Sequence, residues 1–230
     1  MIKKNIQKTY SKKDSSFKRI KIIDNAFTDL IKKNVDKGSV VLDLGCGGGR
    51  LTISLNRFVK KIIGIDFSKE LVCSARRNAK RKNIEYAAMD GEKLDFPANS
   101  FDVIVSHAVL NKRMCRAEYA LKSAYRILKP KGRIIIKMIY HTWGKEFKFS
   151  GGYDSKEIKG ILKSIGFKNI DVKVQRQKCK AKKAEDVAWV RSTEAVNLSP
   201  KNVFEEFFSG SKKDYCFDDS FMIVYAEKRA

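Results

Sequence analysis

Residues 41–49, V-L-D-L-G-C-G-G-G, constrain this chain more than any other stretch. A run of strand length and character passes directly into four glycines within five positions, and a helical pattern follows. Glycine adopts backbone conformations closed to other residues and lets another group lie against bare backbone. A strand, a glycine turn and a helix in that order put the turn at the carboxyl edge of a parallel sheet, where ligands of open α/β folds bind. A dinucleotide, a phosphate or another adenosine-containing cofactor would each account for such a loop.

The rest of the chain repeats the alternation. After a polar lead, Phe17, Ile20, Ile23, Phe27, Leu30 and Ile31 share one face of a predicted helix that ends at Asp36–Gly38. Predicted strands at 39–44, 61–66, 84–88, 101–106 and 132–139 then alternate with predicted helices at 48–58, 69–82 and 115–128. Strands that are apolar throughout and separated by helices belong to a parallel sheet covered on both faces, so the fold class is α/β. A helix at 155–165 ending at Gly166, a strand at 168–175 and an alternating segment near the C-terminus complete the pattern. We read residues 1–230 as a single domain, with an N-terminal cap and helix at 1–37 and an insertion at 178–218 between the last two strands. That insertion has helical patterns of its own, one with Ser199 as N-cap and Pro200 at the first helical position.

The residues after the glycines discriminate among ligands. A phosphate-binding loop needs Lys and then Ser or Thr after its last glycine, but Arg50, Leu51 and Thr52 follow Gly49. The dinucleotide fingerprint needs a glycine where Arg50 stands, which weakens that reading without removing it. D-L-G-C-G-G-G (43–49) instead resembles the first motif of the class I S-adenosylmethionine-dependent methyltransferases, an acidic residue followed by G-x-G-x-G. K-I-I-G-I-D-F-S (61–68), M-D-G-E-K-L-D-F-P-A-N-S-F-D-V-I-V-S (89–106) and R-I-L-K-P-K-G-R-I-I-I (126–136) resemble that family's next motifs, in the same order. Two departures stand out: Ser123 replaces a frequent Glu, and Lys131 replaces the second glycine of K-P-G-G.

The resemblance implies a Rossmann-like three-layer α/β/α sandwich with a mostly parallel seven-stranded sheet and an antiparallel last strand. It implies S-adenosylmethionine as cofactor and S-adenosylhomocysteine as product. Asp66 would hold both ribose hydroxyls, with Phe67 beside the adenine, and Asp90 would accept from the adenine amino group, next to Gly91. Asp43, Gly45, Cys46, Gly47, Gly49 and Ser106 would complete the cofactor site. The same residues have plainer readings, since Asp90 before Gly91 suits a turn and Asp43 suits an acceptor for loop amides.

Methyl transfer from a sulfonium is an in-line displacement that depends chiefly on holding the acceptor close and aligned. A base is needed only for a protonated acceptor. His107 and His141, after the fourth and fifth predicted strands, stand at the ligand edge and are the candidate bases; each also suits a loop residue bonded to backbone. Aromatic candidates for the acceptor pocket are Tyr10, Tyr140, Trp143 and Trp189, while Phe204, Phe207 and Phe208 have the spacing of a helix core face. No N-P-P-Y or D-P-P-Y follows the fourth strand and no Pro-Cys pair supports Cys115 as a nucleophile, so amino-group methylation of adenine and covalent cytosine chemistry are not indicated.

A small-molecule acceptor is the preferred reading. The net charge of +23, spread along the chain and dense in R-R-N-A-K-R-K (76–82), supports an alternative acceptor in tRNA or rRNA. A second alternative is a non-catalytic cofactor-binding partner in an RNA-protein assembly. Five widely spaced cysteines without a C-x-x-C pair indicate neither a disulfide framework nor a metal site. No apolar run reaches the roughly 18 residues that cross a bilayer and no apolar signal core follows the basic start, so a cytoplasmic location without membrane partners is expected.

Overall fold

The computed structural model describes residues 25–79, 81–112, 115–139, 152–181 and 215–230. Their elements run α1 (Asn25–Lys32), β1 (Val40–Leu44), α2 (Arg50–Leu55), a 3-10 turn (Asn56–Phe58), β2 (Lys61–Asp66), α3 (Lys69–Asn78) and β3 (Ile84–Ala88). They continue with β4 (Phe101–His107), α4 (Ala117–Ile127), β5 (Leu128–Ile139), α5 (Ser155–Ile165), β6 (Lys168–Ala181) and β7 (Tyr215–Glu227). The seven strands form one sheet in the order β3-β2-β1-β4-β5-β7-β6. β1 pairs in parallel with β2 and β4, and β7 runs antiparallel to both neighbours. The expected fold class holds, including the antiparallel last strand.

Helices cover both faces, which explains why the central strands are apolar without alternation. Leu42, Ile104, Ile134 and Ile136 pack with Leu121 of α4 and with Ile158 and Leu162 of α5 on one face. Val41, Val103, Val105 and Ile135 pack with Phe27 and Ile31 of α1, Leu55 of α2 and Val72 of α3 on the other. Successive residues of one strand thus enter opposite cores, as the period of two demands.

Several boundaries move. The helix expected at 48–58 ends at Leu55 and tightens into the 3-10 turn. The helix expected to reach 82 stops at Asn78, because the backbone turns extended at Ala79; continuing it would stack Arg77 against Arg81 at i,i+4, a repulsive pair. β5 begins at Leu128, ahead of Pro130 and Gly132, with an irregularity in its pairing opposite Phe101 to Val103. β6 and β7 pair without a break from Asp171↔Tyr225 to Ala181↔Tyr215, beyond the last pair that β7 makes with β5, Ile139↔Phe221. The residues at both ends of the expected 178–218 insertion are therefore strand, and the span between the strands is 182–214. Of the expected N-terminal helix face, Phe27 and Ile31 are buried, and residues 17–24 lie outside the described residues.

Candidate cofactor and acceptor site

The glycine loop lies at the carboxyl ends of β1 and β2 and is held by backbone. The amides of Gly45 and Cys46 both donate to Ile65 O at 2.8 Å, and Gly49 N donates to Cys46 O at 2.9 Å. Asn78, the last residue of α3, donates from Nδ2 to Gly48 O at 3.1 Å. Gly45, Gly47 and Gly49 all have positive φ, at 75°, 52° and 85°, a conformation that disfavours side chains.

The space around these three glycines separates their duties. A Cβ on Gly45 would come within 2.2 Å of Val109 Cγ2, and one on Gly49 within 2.4 Å of the Tyr86 hydroxyl. At Gly47 a Cβ would meet nothing within 4 Å. Gly45 and Gly49 are thus occupied by the protein's own side chains, and Gly47 faces open space.

Asp66 closes the last turn of β2 toward this loop. Its Oδ2 accepts from Gly47 N at 3.0 Å and its Oδ1 from Ser68 N at 2.9 Å. The residue is 7% exposed, and burial pushes its carboxyl above the usual range, opposed by the Ser68 and Gly47 amides. Each oxygen keeps lone-pair capacity beyond its one amide, so the carboxylate can still accept two further donors. Ser68 also caps α3, accepting from Leu71 N at 3.2 Å. Phe67, between the two, is half-buried.

The other predicted residues fall in distinct surroundings. Asp43 is 1% exposed and accepts from Thr52 Oγ1 at 2.6 Å. Burial raises its carboxyl to about 7; the Thr52 bonds pull the other way and the Asp66 charge adds to the rise. Cys46 is buried, and burial drives its thiol well above the ordinary range. Asp90 is half-buried and its Oδ1 accepts from Glu92 N at 3.0 Å, which is an Asx turn. Gly91 packs tightly, since a Cβ there would lie 3.1 Å from Leu44 and 3.2 Å from the Cys115 sulfur. Ser106 is fully buried and donates to Leu44 O at 2.8 Å, tying the end of β4 to the end of β1.

His107 ends β4 exposed, its ring 5.7 Å from that of Phe27 on α1. The next residue, Ala108, has φ 58°, a conformation that costs a residue with a Cβ roughly 1–2 kcal/mol. The Ala108 N–H donates to Lys137 O at 2.8 Å across the strand pair, and the turn carries Val109 onto Gly45. His107 therefore stands two residues from a side chain that touches the glycine loop. His141, Tyr10, Tyr140, Trp143, Trp189, Phe204, Phe207 and Phe208 lie outside the described residues.

Two side chains of this edge were not anticipated. Lys137, the register partner of His107, is fully buried with its ammonium 3.3 Å from the centroid of the Phe221 ring. A single lysine inside I-I-I-K-M-I was the available signal, because a charge in a two-sided apolar strand needs a reason. Tyr86 on β3 is the other; its ring fills the space over Gly64, where a Cβ would come within 2.8 Å. The glycine of K-I-I-G-I-D hinted at such a close approach.

Comparison with known proteins bears on the family and the fold. The family described as "Methyltransferase domain" matches residues 35–188. A ubiquinone/menaquinone biosynthesis C-methyltransferase of Escherichia fergusonii is 36% identical over 110 residues, covering 44% of this chain and 43% of the relative. The chain thus matches less than half the length of that relative. Among solved structures, the YcgJ protein of Bacillus subtilis superposes with a TM-score of 0.69 at 17% identity, covering 89% of this chain and 99% of that one. A phosphoethanolamine N-methyltransferase of Haemonchus contortus, solved with phosphomonomethylethanolamine and S-adenosylhomocysteine, superposes with a TM-score of 0.63 at 20% identity, covering 90% of this chain and 53% of that one.

Proposed function

The chain belongs to the methyltransferase-domain family, and on that premise we propose that it binds S-adenosylmethionine over Gly47 and Asp66 and passes its methyl group to a small-molecule acceptor held at the His107 edge. The observation that carries the reading is the pairing of an open Gly47 with a buried carboxylate bonded to its amide.

The residues present suit the cofactor. The open side of Gly47 is a cradle that a side chain would fill. Asp66 has acceptor capacity for two ribose hydroxyls after satisfying two amides. Asp90 is held by its turn beyond β3, at the carboxyl edge of the sheet. The cofactor carries no phosphate, which agrees with a loop lacking the Lys and Ser of a phosphate cradle. When bound, S-adenosylmethionine supplies an electrophilic methyl on a cationic sulfur, poised for displacement.

The protein's share of the work is orientation. Val109 on Gly45 and the Ser106 bond to Leu44 fix the end of β4 against the end of β1, so the acceptor edge and the cofactor loop move as one body. In this reading His107, exposed beside Phe27, takes a proton from a hydroxyl or activated carbon acid during transfer. The match to a C-methyltransferase of quinone biosynthesis supports a small organic acceptor.

A second reading has its own support. A net charge of +23 would raise the local concentration of RNA and steer it to the surface. Incubation with methyl-tritiated S-adenosylmethionine and a cell extract, followed by separation into small-molecule and RNA fractions, distinguishes the two. Label in the small-molecule fraction, with weak salt dependence, is expected. Label confined to RNA, with a rate falling steeply between 50 and 200 mM salt, would favour the second reading. Absence of label in both, with cofactor bound, would count for a non-catalytic cofactor-binding partner.

A further inference from the structure

Beneath the glycine loop lies a buried polar cluster in which only Asp66 has a task in the cofactor reading. Asp43 comes from β1, Thr52 from α2, Cys46 from the loop, Asp66 from the end of β2 and Tyr86 from β3. Asp43 and Thr52, 1% and 0% exposed, share the 2.6 Å bond already described. Tyr86 is 7% exposed, and its hydroxyl lies under Gly49 with no hydrogen-bond partner. A buried hydroxyl left without a partner costs about 1–3 kcal/mol, so a native structure keeps one for a reason. Thr52 lies beside it, but the single Thr52 proton is directed to Asp43. Its oxygen still has lone pairs to receive a donor.

Resting on the cofactor reading above, we propose that Asp43 and Tyr86 are positioning residues that couple cofactor uptake to proton release. When the sulfonium cation settles over the loop, the Asp43 carboxyl O–H bond breaks and the proton leaves to solvent. Thr52 keeps its bond to Asp43, now a carboxylate, and the Tyr86 hydroxyl turns to donate to the Thr52 oxygen. Each bond in such a chain strengthens the next. The new carboxylate would then attract the cation through the loop and hold the loop against the sheet.

The surroundings of Asp43 agree. Asp66 faces it from β2, the Cys46 thiol from the loop, the Tyr86 phenol from β3 and the Thr52 hydroxyl from α2. Burial holds the Tyr86 phenol up to about 12 and the Cys46 thiol high, so both stay neutral near pH 7. Burial raises the Asp43 carboxyl to about 7, and Asp43 lies deeper than Asp66, at 1% against 7% exposed.

Calorimetric titration of the whole chain with S-adenosylmethionine at pH 7, in phosphate and in Tris, reads the released proton directly. The heat should differ between the buffers in proportion to their ionisation enthalpies. S-Adenosylhomocysteine, which lacks the fixed positive sulfur, should show a smaller difference. Affinity for S-adenosylmethionine should tighten from pH 6 to 8, by up to about tenfold per unit. Asp43→Asn should abolish the buffer dependence. Tyr86→Phe should keep it but move the affinity profile to higher pH, a shift that a merely structural phenol would not produce. Equal heats in both buffers from a wild-type chain that binds, an Asp43→Asn chain that still releases the proton, or an unmoved Tyr86→Phe profile would each overturn the proposal. A wild-type chain that binds no S-adenosylmethionine would overturn it too, through the cofactor reading itself.

Discussion

The amide of Gly47 donates to the Asp66 carboxylate across 3.0 Å, joining the one loop glycine whose Cβ position is shown to be open to the acid that ends β2. Glycine and carboxylate fix each other: the acid orients the loop, and the loop amide keeps a buried acid able to ionise. Different consequences follow at the neighbouring glycines, and these can be measured.

Gly47→Ala should leave a folded protein with weakened cofactor binding, because its methyl group enters the space reserved for the ligand. The cost to stability should stay near the roughly 1–2 kcal/mol of a left-handed alanine. Gly45→Ala should destabilise more, since its Cβ would meet Val109 at 2.2 Å. Urea unfolding followed by calorimetry with S-adenosylmethionine checks both expectations.

Gly49→Ala should be destabilised by contact with the Tyr86 hydroxyl, which would lie 2.4 Å from the new Cβ. Adding Tyr86→Phe removes that oxygen and should recover part of the loss. The double-mutant cycle is expected to show a coupling of about 1 kcal/mol or more; additive effects would mean that Tyr86 does not press on the loop.

Lys131 occupies a left-handed position, φ 63°, with its side chain exposed. Lys131→Gly should relieve roughly 1 kcal/mol of backbone strain, partly offset by the greater freedom of glycine in the unfolded chain. A rise in thermal midpoint of about 1–2 °C is expected.

At Lys131 the sequence pattern and the backbone agree. The pattern K-P-G-G marked Lys131 as standing in a glycine's place, and the structure supplies the reason. β2 was legible to the residue because polar and glycine-bearing segments bound an apolar run covered on both faces. β5 was not, since Pro130 and Gly132 suggested a turn where the strand had already begun at Leu128. The insertion of β7 between β5 and β6 depends on pairing across the whole chain, which local periodicity does not encode. Within the site, the motif located the loop, yet the partners of Gly45 and Gly49 are Val109 and Tyr86, brought there by the sheet from distant segments.

The stability of the cofactor-free chain should carry the signature of Asp43. Burial pushes its carboxyl up to about 7, above the ordinary carboxylate 3.8, so the folded state holds the proton more tightly than the unfolded one. That contribution is fully present below pH 4 and is lost as pH rises to 7, amounting to about 4 kcal/mol. Asp43→Asn should remove this slope. The difference in urea unfolding free energy between wild type and variant, followed from pH 4.5 to 7.5, measures it.

The proposed hold of Asp66 and Gly47 on the cofactor is tested most directly by calorimetric titration of wild type and Asp66→Ala with S-adenosylmethionine. Loss of a charge-assisted acceptor worth about 1.5–3 kcal/mol predicts an affinity at least tenfold weaker in a variant that keeps a cooperative unfolding transition. Equal affinity in the two folded proteins would contradict the assignment.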